Sequence, residues 1–286
     1  MRSPWIWTGL LLAAMAAGAL SEPHRERAPL RIGEYQVLDA DFHVHVHPWS
    51  WATLSPWDTV IEARRQGLDA FAMTGTNNIW TGKAGRWLAR RMSGPTVLPA
   101  QEVHTPTYHM VAVGIHTAID WRHTAAQAIE DIHRQGGVAI AAHPIARYWP
   151  GWDEAAMEKL DAAEVWQPIV YMRPESAIEL REFHARKRLT AIGSSDYHGL
   201  LPMGICRTYV FARENTEQAI LEALRAGRTV VYDRQRQSYG DPELIRLSAG
   251  VLPRAGGAPP SNLGTLFSGL CGVTGLLGLI LAGFRR

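Results

Sequence analysis

Between about residues 36 and 233, short apolar runs alternate with amphipathic stretches, the rhythm of strands and helices that follow one another. Residues 36–46 alternate with period two and read as a strand with one polar face. Residues 57–66 show helical spacing and stop at Gly67. Residues 68–74, 96–102 and 108–115 are short apolar strands. A helix is predicted over 124–135, opened by Thr124 and closed by Gly136 and Gly137. Further on, 138–143, 163–167, 189–194, 207–212 and 228–232 read as strands. Residues 154–160, 174–187 and 215–226 read as helices, the last stopped by Gly227. This alternation predicts one α/β domain on a mainly parallel sheet or barrel, with no internal repeat.

Both ends are apolar. Residues 4–20 carry no charge and follow Met1-Arg2. With Ala17-Gly18-Ala19 as an acceptable cleavage site, residues 1–22 read as a signal peptide or an uncleaved signal anchor. A second uncharged stretch, 264–284, ends in Arg285-Arg286 and has the ~20 residues that a membrane crossing needs. Residues 263–286 are therefore expected to be a C-terminal transmembrane or sorting tail, joined to the domain by a linker over 234–262. The expectation is an exported domain held to the membrane through its C-terminal segment, facing the periplasm or the cell surface. Arg25, Arg27 and Arg31 run against this orientation, because they fall on the outer side.

The net charge of +2 and the lack of a basic block argue against a nucleic-acid partner. Cys206 and Cys271 are the only cysteines, too few for a disulfide framework or a thiolate metal site. The 11 tryptophans are read first as packing residues, although several flank the histidines.

Candidate chemistry gathers in four clusters at the ends of apolar runs. They are Asp41-Phe42-His43-Val44-His45, then Glu102 with His109, then His143-Pro144, and Ser195-Asp196-Tyr197-His198. Imidazoles and carboxylates arriving from several strands bind divalent metals, and clustered metals make hydroxide from water at neutral pH. In a parallel barrel the loops at the strand C-termini carry the site. Alternation along the first strand would place Asp41, His43, His45 and His47 on one face.

The ordered set of motifs resembles the PHP (polymerase and histidinol phosphatase) superfamily of metal-dependent hydrolases, and within it the carbaryl-hydrolase-like branch. The resemblance covers roughly residues 36–233. It rests on residues 41–45, 67–74, 99–102, 109–115, 142–144, 193–198 and 223–229. It implies a distorted (β/α)7 barrel with up to three metals. One metal would take His43, His45, Glu102 and Asp196. Glu102 would bridge to a second, held also by His109 and His143. The family's third metal uses an Asp where this chain has Ser50, a His where it has Thr76, and the position of His198. Two of its three ligands are thus replaced, which implies a binuclear centre with zinc, manganese or iron.

The resemblance further implies hydrolysis of a small phosphoester, or a related ester or amide, by an activated water. His198 is a candidate to bind substrate or protonate the leaving group, and Glu102 is the catalytic bridge. Arg147 is a candidate to hold an anionic group, and Trp149 and Trp152 either wall an apolar pocket or pack. His47 is read as a surface or supporting residue rather than an extra ligand. His104, His116, His123, His133 and His184 match no motif. The alternative is a metal-depleted domain serving as a binding or scaffold module at the membrane.

Overall fold

The computed structural model describes residues 4–20, 29–48, 50–199, 201–252 and 263–283. Helix α1 (Pro4–Leu20) precedes a short strand β1 (Leu30–Ile32), which folds back antiparallel on β2 (Tyr35–His45). Helix α2 (Pro56–Arg65) starts where the Ser55 hydroxyl accepts the Asp58 amide and Pro56 fills the first turn. Then come β3 (Ala70–Thr76), α3 (Trp80–Arg91), β4 (Thr96–His104) and β5 (His109–Val113). Helix α4 (Ala125–Arg134) opens with a reciprocal capping box between Thr124 and Gln127. It is followed by β6 (Val138–Ala141), a 3-10 turn over Ala146–Gly151, α5 (Glu154–Lys159) and β7 (Ala162–Trp166). Helices α6 (Ile169–Met172) and α7 (Ser176–Ala185) lead to β8 (Thr190–Gly193) and β9 (Thr208–Ala212). The remaining elements are α8 (Glu217–Arg225), β10 (Thr229–Tyr232), β11 (Ser238–Gly240), α9 (Pro242–Ser248) and α10 (Leu263–Gly283).

The strands form one sheet in the order β11-β10-β9-β2-β3-β4-β5-β6-β7-β8, with β1 added to β2. Threonine hydroxyls draw β8 back toward β9 and β10. Thr208 Oγ1 accepts from Gly193 N and donates to Gly193 O, and Thr229 Oγ1 donates to Ala191 O. The result is a mixed α/β, nearly closed barrel-like sheet. Leu38, Phe42, Leu98, Val111, Ile140, Ile192 and Val210 from the strands meet Ile220, Leu221 and Leu224 of α8 in one buried cluster. Helix α8 thereby plugs the end where β8 begins, and Thr190 Oγ1 donates to Leu224 O there. The opposite end, at the C-termini of β2, β3 and β8, is left for the polar residues.

Several expectations need correction. The sheet is not mainly parallel: β2–β3, β3–β4, β6–β7 and β7–β8 are parallel, and the other six strand pairs are antiparallel. Tight hairpins join β4 to β5 and β10 to β11, and a hairpin reverses direction. The stretch expected as a linker from 234 is structured as far as residue 252. β11 pairs with β10, and Leu244 and Leu252 are buried beside Val37, Phe211 and Val230. Its Gly- and Pro-rich part, 255–261, lies outside the described residues.

The membrane segments are not supported either. Among the described residues no helix is long and apolar enough to cross a membrane. Helix α1, with 17 residues, spans only ~26 Å at 1.5 Å per residue, against a hydrocarbon core of ~30 Å. Its inward face meets α10, with Gly275 against Leu11 and Gly278 against the Trp7 ring.

Helix α3 is absent from the sequence reading because glycine, not apolar bulk, makes its contact. A Cβ at Gly82 would lie 2.8 Å from Ala100 N and 2.9 Å from Met73 O, so the helix rests directly on the backbones of β3 and β4. Gly82→Val is expected to destabilise the fold by about 1–3 kcal/mol through overpacking. Urea denaturation tests this, and an unshifted midpoint would show that α3 is not seated on those strands.

Candidate metal centre

Five strands deliver the polar cluster to the open end of the barrel. His43 and His45 alternate along the end of β2, and Glu102 lies on β4 two residues before its end. His109 starts β5, directly across from His104 in register. His143 follows β6, and Asp196 follows β8. The loop carrying Asp196 is drawn onto β2 as an extra rung: His45 N donates to Tyr197 O at 3.1 Å, and Tyr197 N to His43 O at 3.2 Å.

Two of the imidazoles are aimed from behind. His43 Nδ1 donates to Glu164 Oε1 at 2.9 Å, in a fully buried pair. His45 Nδ1 meets Ser50 Oγ at 3.1 Å. These contacts turn both Nε2 lone pairs inward, where they face each other at 3.1 Å. Asp196 Oδ1 is 3.3 Å from each of them. Glu102 Oε2 is 3.4 Å from His45 Nε2. Its other oxygen, Oε1, lies 3.1 Å from His109 Nδ1 and 3.3 Å from His143 Nε2. Glu102 therefore stands between two groups of donors.

This arrangement is untenable for neutral groups alone. Lone pairs converge in a dry space, and Asp196 Oδ1 and His109 Nδ1 are buried without a hydrogen-bond partner. Burial opposes a charge on His43, but the carboxylates of Asp196, Glu164 and Glu102 outweigh it and raise its pKa to about 10. Burial likewise opposes charge on Asp196 and Glu102. The surrounding histidines outweigh it, and both carboxyls are held below the usual carboxylate range. His109 is pushed down by burial. A cation satisfies the same donors as a proton and more of them at once. Three clusters meet that requirement: His43, His45 and Asp196; His43, Glu102 and His143; and Glu102, His104 and His109. Their mix of imidazole and carboxylate suits zinc, manganese or iron better than calcium or magnesium.

The structure brings together His43, His45, Glu102, His109, His143 and Asp196. His198 sits at the rim, its ring 4.4 Å from that of His45 and its Nδ1 donating to Asp196 O at 2.8 Å. Arg147 is exposed on the 3-10 turn and lies over Tyr148, whose ring stacks on His109 at 4.2 Å. Ser50 and Thr76 also meet, Oγ to Oγ1 at 2.9 Å. Trp149 and Trp152 pack rather than wall a pocket: Trp149 stacks under Arg186, and Trp152 is buried between Tyr108 and Phe183.

Asp41 and His47 do not share the ligand face. The β2–β3 register shifts between Asp41 and Val44. Asp41 turns to accept from Ser195 N, Ser195 Oγ and Gly204 N, and so ties the Asp196 loop to β2. His47 is buried within the field of Asp58 instead.

Sequence reasoning missed Glu164, whose second oxygen accepts His143 N at 2.6 Å. The signal was present, because a glutamate inside the apolar run Ala162–Trp166 can be buried only if paired. It missed Gln167 as well, which donates to Asp196 Oδ2 at 3.0 Å.

Residues 179–229 match the family model described as PHP-associated. That stretch runs from α7 to the start of β10 and contains Asp196 and His198. Among solved structures the chain is similar to a two-domain protein from Bacteroides vulgatus, described as containing a PHP-like metal-dependent phosphoesterase. The TM-score is 0.65 at 23% identity, covering 79% of this chain and 73% of that one. A protein from Bifidobacterium adolescentis described as a metal-dependent phosphoesterase gives 0.45 at 18% identity, covering 60% and 90%. An amidohydrolase from Chromobacterium violaceum gives 0.46 at 14% identity, covering 69% and 99%. The first likeness shows a shared fold, and the other two carry no argument. No curated protein matches the chain. The matched stretch and the shared fold support the PHP superfamily.

Two predictions follow from the geometry. Glu164→Gln removes the charge that aims His43 and is expected to weaken Zn²⁺ binding by about 10–100-fold in a protein that still folds. Equilibrium dialysis measures this, and an unchanged affinity would remove Glu164 from the centre. The second concerns pH. With a pKa of about 10, His43 is protonated in the metal-free protein at pH 8 and must lose that proton to bind a cation. Loading at pH 8 is expected to release about one proton, and affinity should rise with pH. Calorimetry in buffers of different ionisation enthalpy reads the release directly, and binding without it would refute the assignment.

Proposed function

We propose that this protein is a metal-dependent hydrolase of the PHP type, acting on a small phosphoester or a related ester or amide. The observation that carries the reading is the convergence of His43 Nε2, His45 Nε2 and Asp196 Oδ1, with Glu102 shared between them and His109 and His143. The carbaryl-hydrolase-like branch is proposed from the motifs alone.

Divalent cations bound there would supply Lewis acidity and lower the pKa of a water toward 7. The chain's own residues do the rest. His43, His45, Glu102 and Asp196 hold one position, and Glu102, His109 and His143 the other. Glu164 and Ser50 keep two of the rings oriented. His198, with Nδ1 committed to Asp196 O, keeps Nε2 to hydrogen-bond the substrate or move a proton at the leaving group. Arg147, exposed beside Tyr148, offers its guanidinium to an anionic group at the mouth. The scaffold alternative has less in its favour, because it gives no reason for imidazoles and carboxylates from five strands to converge within ligand reach of one another. Export and membrane attachment are proposed from the apolar ends of the sequence alone.

The test is metal quantification on purified protein, paired with a panel of phosphomonoesters, phosphodiesters and aryl esters. About two equivalents of metal are expected. Glu102→Ala and His143→Ala are each expected to lower kcat/KM by at least about a hundredfold. A folded protein that takes up no metal, or that keeps its activity in both variants, would overturn the reading.

A further inference from the structure

His104 belongs to no motif, yet its strand delivers it to the centre. It lies two residues after Glu102 on β4, so the two side chains leave the strand on the same side. Across the hairpin it is paired in register with His109, and the two rings are 3.8 Å apart between centroids. His104 Nδ1 is 3.8 Å from Glu102 Oε2. One ligand atom each from Glu102, His104 and His109 falls within a 4.8 Å span.

The residue is also held in place. Asn77, at φ 53, takes the part of a neighbouring strand. Its Oδ1 accepts His104 N at 2.8 Å, and its Nδ2 donates to His104 O at 3.0 Å. Asn77 N in turn donates to Glu102 O at 2.9 Å. One asparagine thus fixes the backbone of both Glu102 and His104 at the last rungs of β4.

We propose that His104 is a further protein ligand, through Nδ1, to the cation held by Glu102, His109 and His143. This rests on the two-cation reading above. The donor set then becomes three imidazoles and one carboxylate, which favours Zn²⁺ or Co²⁺ over Mg²⁺ or Ca²⁺. Unlike the other three, the His104 side chain is half exposed, at 51%. It therefore closes the position on the solvent side, where substrate must arrive, and it can leave without opening the fold.

The experiment is titration of wild-type protein and His104→Ala with Co²⁺ alone, followed by calorimetry and by the visible d–d absorption of the bound ion. In the variant one of two sites is expected to weaken by at least about tenfold, with a changed spectrum for that site and the other site unaltered. Thermal melting of the metal-free forms should coincide, because His104 is exposed at a strand end. Asn77→Ala is expected to weaken the same site to a smaller degree. Identical affinities and spectra for wild type and His104→Ala would overturn the proposal while leaving two cations in place. Equal weakening of both sites would overturn it too, because the effect would then be general. A wild-type protein that binds no Co²⁺ would instead overturn the reading on which it rests.

Discussion

The open end of this barrel is organised by a charge imbalance. Glu102 and Glu164 bring carboxylates into a buried space where water hardly solvates them, and Asp196 adds a third at its edge. The imidazoles that meet them present lone pairs, so neutral histidines would add to the imbalance rather than relieve it. In the free protein a proton on His43 restores part of the balance, which is why its pKa stands near 10 despite complete burial. A divalent cation in the same place gives more charge and satisfies more atoms. The apo protonation state and the metal site are two answers to one electrostatic demand.

That demand is met only because the backbone is bent to meet it. His143 and Asp196 have φ of 29° and 44°, in the region that side chains avoid. Such residues cost about 1–3 kcal/mol each and persist only where their surroundings over-determine them. Here the surroundings do so. His143 N is taken by Glu164, and Ile145 N donates back to His143 O at 2.7 Å. Asp196 sits between Ser195, held by Asp41, and Tyr197, paired with β2. The bonds that hold the strain also zip the rim of the barrel shut at β2 and β8. Closing the fold and assembling the centre are one process, so the buried Asp41, which touches no candidate ligand atom, still sets where Asp196 stands.

How much of this was legible in the sequence depended on which residues carried the information. Period-two alternation located β2, and capping at Thr124 located α4, since both act through neighbours in the chain. The residues of the polar cluster were legible because imidazoles and carboxylates gather at the ends of apolar runs, where strand ends converge. Helix α3 was not, because its contact surface is glycine and leaves no apolar stripe. The strand directions were misread because alternation along a strand tells which face a residue takes but not which way the neighbouring strand runs. Asp41 was expected on the same face as His43 and His45 because alternation was extended through a register shift that no local pattern announces. Glu164 and Asn77 act on partners 121 and 27 positions away, and only the folded chain brings those together.

The clearest contrast in the molecule lies a few ångströms from the centre. Where the related motifs carry an acid and a histidine, this chain has Ser50 and Thr76, and their hydroxyls meet. Ser50 Oγ accepts from Thr76 N and from His45 Nδ1, which leaves its own proton for Thr76 Oγ1. All three of its valences are used, with nothing left pointing at a cation. Beside it, Asp196 Oδ1 lies 3.3 Å from the Nε2 atoms of His43 and His45, and His109 Nδ1 lies 3.1 Å from Glu102 Oε1. Ser50 and Thr76 therefore satisfy each other and orient His45, while the imidazoles and carboxylates beside them stay turned toward one another's ligand atoms, an arrangement that suits a divalent cation.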